Sequence, residues 1–218
     1  MQTENKPLPA EFESMMSEFL AVRCRYEAAI REVRTKLEIL DMEFQMRHSR
    51  NPIHHMHTRM KTMPSIADKL RRKGVPATLA AMTETLTDIA GVRVICSYID
   101  DVYAVAELLT SQDDVRVIRT RDYIAHPKAN GYRSLHLVIE VPIFLREGKQ
   151  LVPVEVQLRT IAMDLWASLE HQLRYKGASD VPDDIADELQ SAADGLAALD
   201  ERMQSIHARL SALPDAPA

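Results

Sequence analysis

At 218 residues with a formal net charge of -5, the chain has the size of one globular domain with helical extensions, and two large domains would not fit. Hydrophobic residues make up 46% and charged residues 27%, enough apolar material for a buried core, which excludes a disordered chain. No run approaches the ~18 consecutive apolar residues of a membrane-spanning helix. The opening MQTENKPLPAEFES lacks the basic-then-apolar plan of a secretory signal, so a soluble, cytoplasmic protein with no membrane contact is expected. Cys24 and Cys96 form no C-x-x-C and no ligand pair, and both are expected as small buried apolar side chains.

Apolar residues recur every three or four positions from 12 to 44, which predicts one long amphipathic helix. Residues 47–64, polar, aperiodic and carrying Pro52 and Pro64, read as a basic connector. A short helix opened by Pro64 and closed by Gly74 follows, and Pro76 starts another that runs through Leu86. The period then changes to two, with Val92, Val94, Cys96 and Tyr98 on one face, so a strand begins just after Asp88.

Residues 100–112 read as a helix, 115–120 as a second strand and 123–132 as a loop punctuated by Pro127 and Asn130-Gly131. Residues 134–145 and 150–159 form a hairpin that turns at Glu147-Gly148. Alternation puts Leu135, Leu137, Ile139, Val141, Val154, Val156 and Leu158 on one face and His136, Glu155, Gln157 and Arg159 on the other. Pairing Arg146 with Lys149 would set Glu140 against Glu155, two like charges facing each other. The last third is helical, 160–177 and then 182–213. Its apolar seam from Ile185 to Leu213 would either pack on the first helix or join copies of the chain.

Charge is segregated by sign. Residues 47–73 hold eight Lys/Arg against one Asp, and 116–133 hold five against one, in an otherwise acidic chain. Duplex nucleic acid more often selects a domain that is basic as a whole. Two confined blocks suit small polyanions such as nucleotides, although solvated basic loops would look the same.

The chemistry-bearing residues are acidic groups at strand ends beside those blocks: Asp88 and Glu155, with Arg59, Lys61, Lys69, Arg93, Arg121, Lys128 and His136 around them. Phosphoryl transfer uses this combination, since two carboxylates can hold a hydrated Mg²⁺ while Lys and Arg offset charge on the transferring group. As alternatives, Asp88 could be a turn residue, Glu155 a wet sheet-surface carboxylate, and Tyr132 a buried tyrosine rather than a platform for a base. His48, His54, His55 and His57 lack H-E-x-x-H spacing and read as a basic connector, not a metal site. Walker A, G-x-G-x-x-G and G-x-S-x-G patterns are absent from the sequence.

The strings HTRMKTMPSIADKL (57–70), TDIAGVRV (87–94), HPKANGYRSLHL (126–137), VPVEVQLRT (152–160) and AMDLWASLEHQL (162–173) resemble, in order and spacing, the synthetase domain of the RelA/SpoT family. With helices on both sides, the chain is similar to the single-domain members called small alarmone synthetases. The resemblance implies an α+β fold, a mixed sheet of about five strands flanked by helices, nucleotidyltransferase-like. It also implies GTP pyrophosphokinase activity, moving the pyrophosphate of ATP to the 3′-hydroxyl of GDP or GTP.

On the same ground, 47–176 would be the catalytic domain, between an N-terminal helix (1–46) and a C-terminal extension (177–218). Arg59 and Arg93 would sandwich adenine; Lys61, Lys69 and Arg121 would hold the ATP phosphates. Asp88 and Glu155 would bind Mg²⁺, with Glu155 as general base. Tyr132 would stack on guanine, Lys128 and His136 would contact phosphates, Asp164 would read the guanine edge, and Gln157 would stand nearby. The resemblance further implies a homo-oligomer, a tetramer, with synthesis but no hydrolysis. RNA is possible as a regulator but is not predicted. Two rivals remain at this stage: a template-free nucleotidyltransferase, and an idle module that binds guanine nucleotides or single-stranded RNA.

Overall fold

A computed structural model describes residues 10–47, 50–176 and 182–213. The expectation for His48 and the last residue of the helix expected over 160–177 lie outside the described residues. Eleven elements run in chain order: α1 (Ala10–Arg47), β1 (Ile53–Met60), α2 (Met63–Arg72), α3 (Leu79–Thr85), β2 (Ala90–Cys96), α4 (Ile99–Thr110), β3 (Arg116–Asp122), β4 (Leu135–Leu145), β5 (Gly148–Thr160), α5 (Ile161–Lys176) and α6 (Asp183–Ser211).

Five strands form one sheet in the order β1-β2-β5-β4-β3. β2 and β5 are parallel and the other neighbours antiparallel, so the sheet is mixed. Helices cover its apolar face. Tyr26, Ala29, Val33 and Leu37 of α1, spaced by three and four, are buried in one core with Val92 and Val94 of β2, Leu137 and Ile139 of β4, and Val154 and Val156 of β5. Val102, Val105 and Leu109 of α4 complete that core. The opposite face of the sheet is left polar and carries the chemistry.

Four expectations need correction. The presumed connector contains β1, an edge strand exposed at five of its eight positions. Ile53 is buried in the core and Met56 and Met60 pack against it, but His54, His55, His57, Thr58 and Arg59 are exposed, so IHHMHTRM shows only a sparse apolar pattern. The helix expected from Pro76 starts at Leu79, because Thr78 accepts from the Ala81 N–H as its cap.

The hairpin pairs Leu145 with Gly148, so its loop is Arg146-Glu147 and every partner shifts by two. Glu140 therefore faces Pro153 and takes Arg116 from β3, not Glu155. Finally, Cys24 lies on the outer side of α1 and is exposed, whereas Cys96 is buried as expected. Among the described residues, no helix is long and apolar enough to cross a membrane.

Candidate active site

Strand register lays two rows of residues across the polar face. In the first, His57 stands opposite Arg93, Arg93 beside Gln157, Gln157 opposite His136, and His136 opposite Arg121. In the second, two residues along each strand and so on the same face, Arg59 stands opposite Gly91, and Gly91 beside Glu155. His57, Arg59, Gly91, Arg93, Glu155 and Gln157 from these rows, with Lys61 and Asp88, line a cleft of ≈ 430 Å³, within the usual range of small-molecule sites.

Asp88 sits between α3 and β2, two residues before the strand starts. Lys61 follows the end of β1, where its N–H donates to the Ile89 carbonyl and ties the two strand ends together. Thr62 and Pro64 then open α2, which brings Lys69 back over the same point. Both ammonium groups donate to one carboxylate oxygen, Asp88 Oδ2, Lys61 at 2.7 Å and Lys69 at 2.5 Å. Asp88 Oδ1 is buried and accepts no hydrogen bond among the described residues. Burial pushes this carboxyl up, but the two lysines outweigh burial and leave it below the ordinary value.

Glu155 lies on the same floor. Its Oε2 accepts from Gln157 Nε2 at 2.8 Å, and its Oε1 stands 3.6 Å from His136 Nδ1. Burial again raises the carboxyl, and His136 and Gln157 more than offset it, while the nearby charge of Asp88 opposes them. Both carboxylates are therefore ionised at neutral pH. A buried, unpartnered oxygen on Asp88 beside a second carboxylate fits a hydrated divalent cation with oxygen ligands, and Mg²⁺ takes few protein ligands. Among the described residues, no group of three or more His, Cys, Asp or Glu converges to hold a metal, so phosphate and water oxygens would complete the shell.

A second cluster borders the cleft on the β4 side. Gly131 has φ +75°, a left-handed conformation that favours glycine, and it turns the loop so that Tyr132 faces β4. Asn130 accepts from the Tyr132 N–H at 3.3 Å and donates to Glu170 of α5 at 3.1 Å, fixing that turn. The Tyr132 hydroxyl lies 2.8 Å from His136 Nε2 and also takes a bond from Arg159. The Lys128 ammonium is 4.6 Å from the Tyr132 ring centroid and the Arg159 guanidinium 5.1 Å. Asp164, in the first turn of α5, accepts from Arg93 at 3.3 Å and from Arg159 at 3.1 Å, both through Oδ1.

The structure thus brings Arg59, Lys61, Asp88, Arg93, Glu155 and Gln157 to one cleft, with Lys69 joined through Asp88. Tyr132, Lys128, His136 and Asp164 form the adjoining cluster, and Arg121 stands exposed on β3, outside the cleft walls. Sequence reasoning left Arg159 without a role. It is 4% exposed and links Asp164, Tyr132, Gln157 and Ser134. Gly91 was also overlooked, although a glycine inside the apolar run IAGVRV signals a place where something approaches the strand closely.

Residues 58–180 match the family described as "Region found in RelA / SpoT proteins". The chain is 48% identical to the GTP pyrophosphokinase YwaC of Bacillus subtilis over 181 residues, 83% of this chain and 86% of that protein. It is 39% identical to the GTP pyrophosphokinase YjbM of the same organism, over 83% of this chain and 84% of that one. Among solved structures, the small alarmone synthetase 1 of Bacillus subtilis bound to its product pppGpp superposes with a TM-score of 0.80 at 36% identity, covering 88% of this chain and 97% of that one. With the matched segment spanning the cleft, the loop that carries Tyr132 and most of the sheet, the chain belongs to the RelA/SpoT family.

Proposed function

We propose that the protein is a GTP pyrophosphokinase that transfers the pyrophosphate of ATP to the ribose 3′-hydroxyl of GDP or GTP, giving ppGpp or pppGpp and AMP. The observation that carries this reading is the pair of ionised carboxylates, Asp88 and Glu155, set in a cleft walled by Arg59, Lys61 and Arg93.

Arg59 and Arg93 stack on adenine through planar guanidinium groups, which lysine cannot offer. Lys61, Lys69 and Arg121 neutralise the ATP phosphates, the two lysines turning from Asp88 to do so. Tyr132 carries guanine on its ring once the exposed Lys128 swings aside, and Lys128 then meets a phosphate together with His136. Asp164 accepts from the guanine edge through its second oxygen, since both arginines use Oδ1.

In the reaction, the 3′-oxygen attacks the β-phosphorus of ATP. A new O–P bond forms, the bond between the β-phosphorus and the bridging oxygen of AMP breaks, and the hydroxyl proton passes to Glu155. Glu155 lies below the ordinary carboxylate range, so it is ready to accept but is a weak base. Positioning and electrostatics therefore supply most of the acceleration. Asp88 and Glu155 would hold Mg²⁺, which neutralises phosphate charge when bound. The test is to replace Glu155 with Gln and follow AMP release from ATP in the presence of GDP: the wild type releases AMP and the variant does not.

Residues 47–176 form the catalytic unit in this reading, and 177–218 serves assembly. α6 packs on α5 and α4 and leaves Leu199, Met203, Ile206 and Leu210 exposed, a stripe suited to joining copies into a homotetramer. A monomeric mass at micromolar concentration would contradict that assembly. The protein acts in the cytoplasm, where its substrates are, and makes alarmone without hydrolysing it. Breakdown of ppGpp by the pure protein on adding Mn²⁺ would refute the last point.

A further inference from the structure

We infer that α6, through Ala193 and Asp200, positions the loop and strand end that receive the acceptor nucleotide. This rests on the reading of Tyr132 as the guanine platform.

The first contact is with the loop backbone. A Cβ added to Gly131 would lie 2.3 Å from Ala193 Cβ, so the turn that presents Tyr132 is pressed directly against α6, and Ala193 is itself buried. Glycine at 131 thus meets two demands, the left-handed φ and the absence of a side chain on the helix side.

Asp200 lies seven residues further on, two helical turns along the same face. It is 6% exposed and accepts from Thr160 Oγ1 at 2.6 Å. Thr160 ends β5, and its hydroxyl also accepts from the Met163 N–H at 3.1 Å, at the start of α5. Asp200 therefore clamps the junction whose neighbours are Arg159 on one side and Asp164 on the other. Arg159 is the group that reaches the Tyr132 hydroxyl.

Two further links join the same parts. Trp166 donates to the Leu189 carbonyl of α6 at 3.4 Å while its ring meets that of Tyr132 edge-on, with centroids 6.4 Å apart. Arg133, next to Tyr132, stands 3.9 Å from Glu201 of α6. α6 thus touches each side of the acceptor cluster without lining the carboxylate cleft. Burial raises the Asp200 carboxyl, with the Thr160 bond and Arg133 opposing, so the carboxylate carries a desolvation cost that packing alone would not require.

Steady-state kinetics with ATP and GDP on the full-length protein test the inference, comparing wild type, Asp200→Ala, Asp200→Asn and Ala193→Val, with Tyr132→Ala in parallel and melting temperatures as a check of folding. Asp200→Ala and Ala193→Val are expected to raise KM for GDP by about fivefold or more while KM for ATP stays nearly constant. Asp200→Asn, which keeps an oxygen for Thr160, should restore the wild-type value. Should Asp200→Ala fail to fold, Ala193→Val decides alone. Equal changes in both KM values, a change in kcat alone, or no better performance of Asp200→Asn than of Asp200→Ala would overturn the inference. If Tyr132→Ala itself leaves KM for GDP unchanged, it is the guanine reading that fails first.

Discussion

Lys61 Nζ lies 2.7 Å from Asp88 Oδ2, and both side chains are only 13% exposed. A buried carboxylate held by two ammonium groups loses more when a partner is removed than a surface pair would. Lys61→Met is therefore expected to lower stability in urea by roughly 1–3 kcal/mol. Asp88→Asn should abolish turnover in a folded protein, and more than a small residue of activity in it would remove Asp88 from the reaction.

Tyr132 has two separable jobs, a flat ring and a hydroxyl shared with His136 and Arg159. Tyr132→Ala should weaken guanine-nucleotide binding by about 1–3 kcal/mol, the usual worth of stacking on an aromatic. Tyr132→Phe keeps the ring and should lose much less. Titration calorimetry with GDP and with an ATP analogue checks both, and the affinity for the ATP analogue should hold steady.

Cys24 is exposed, while burial, with Asp101 adding to it, pushes the Cys96 thiol up to about 12. One thiol per chain should react with a maleimide or a disulfide reagent at pH 8 in the native protein, and two after denaturation. Fast labelling of both without denaturant would contradict the packing of Cys96 against the core.

Asp200 sets a pH dependence of known sign. Its folded-state pKa is raised, chiefly by burial, so the stability it lends is complete below the ordinary value of 3.8 and is lost as pH rises through the raised value. Asp200→Asn does not titrate there. The difference in stability should move in favour of the variant as pH increases from about 4 to 7, as denaturant melts at several pH values would show. A difference independent of pH would mean that the carboxyl is not perturbed.

Much of this was legible in the sequence because period and face are local properties. The spacing of α1 and the alternation in β2, β4 and β5 name the core correctly. β1 was hidden because its core contacts are only Ile53, Met56 and Met60, set among histidines and Arg59, too sparse an apolar pattern to read as a strand. The hairpin register was off by two for a different reason: a shift of two keeps every residue on its own side, so alternation cannot detect it. Only the place of the turn, at Arg146-Glu147, decides whether Glu140 meets Glu155 or Pro153. Cys24 was misplaced because cysteine was read as a buried residue type, although the spacing of Val22, Tyr26, Ala29, Ile30 and Val33 leaves position 24 off the apolar stripe of α1.

In the site, Asp88, Glu155 and the basic residues stood out by chemistry, and their convergence agrees with the strand order. Arg159 did not stand out, because its role depends on Asp164 and Tyr132 folding back onto the end of β5. Those contacts bridge a loop, a strand and a helix, and no spacing within one element encodes them.

The most direct test is to incubate the protein with Mg²⁺, ATP labelled in the β- or γ-phosphate, and GDP or GTP, and to separate the products. The account predicts AMP together with a guanosine carrying the labelled pyrophosphate at its 3′ position, and the loss of both with Glu155→Gln. Release of free pyrophosphate, or no labelled guanosine product from the wild type, would contradict it.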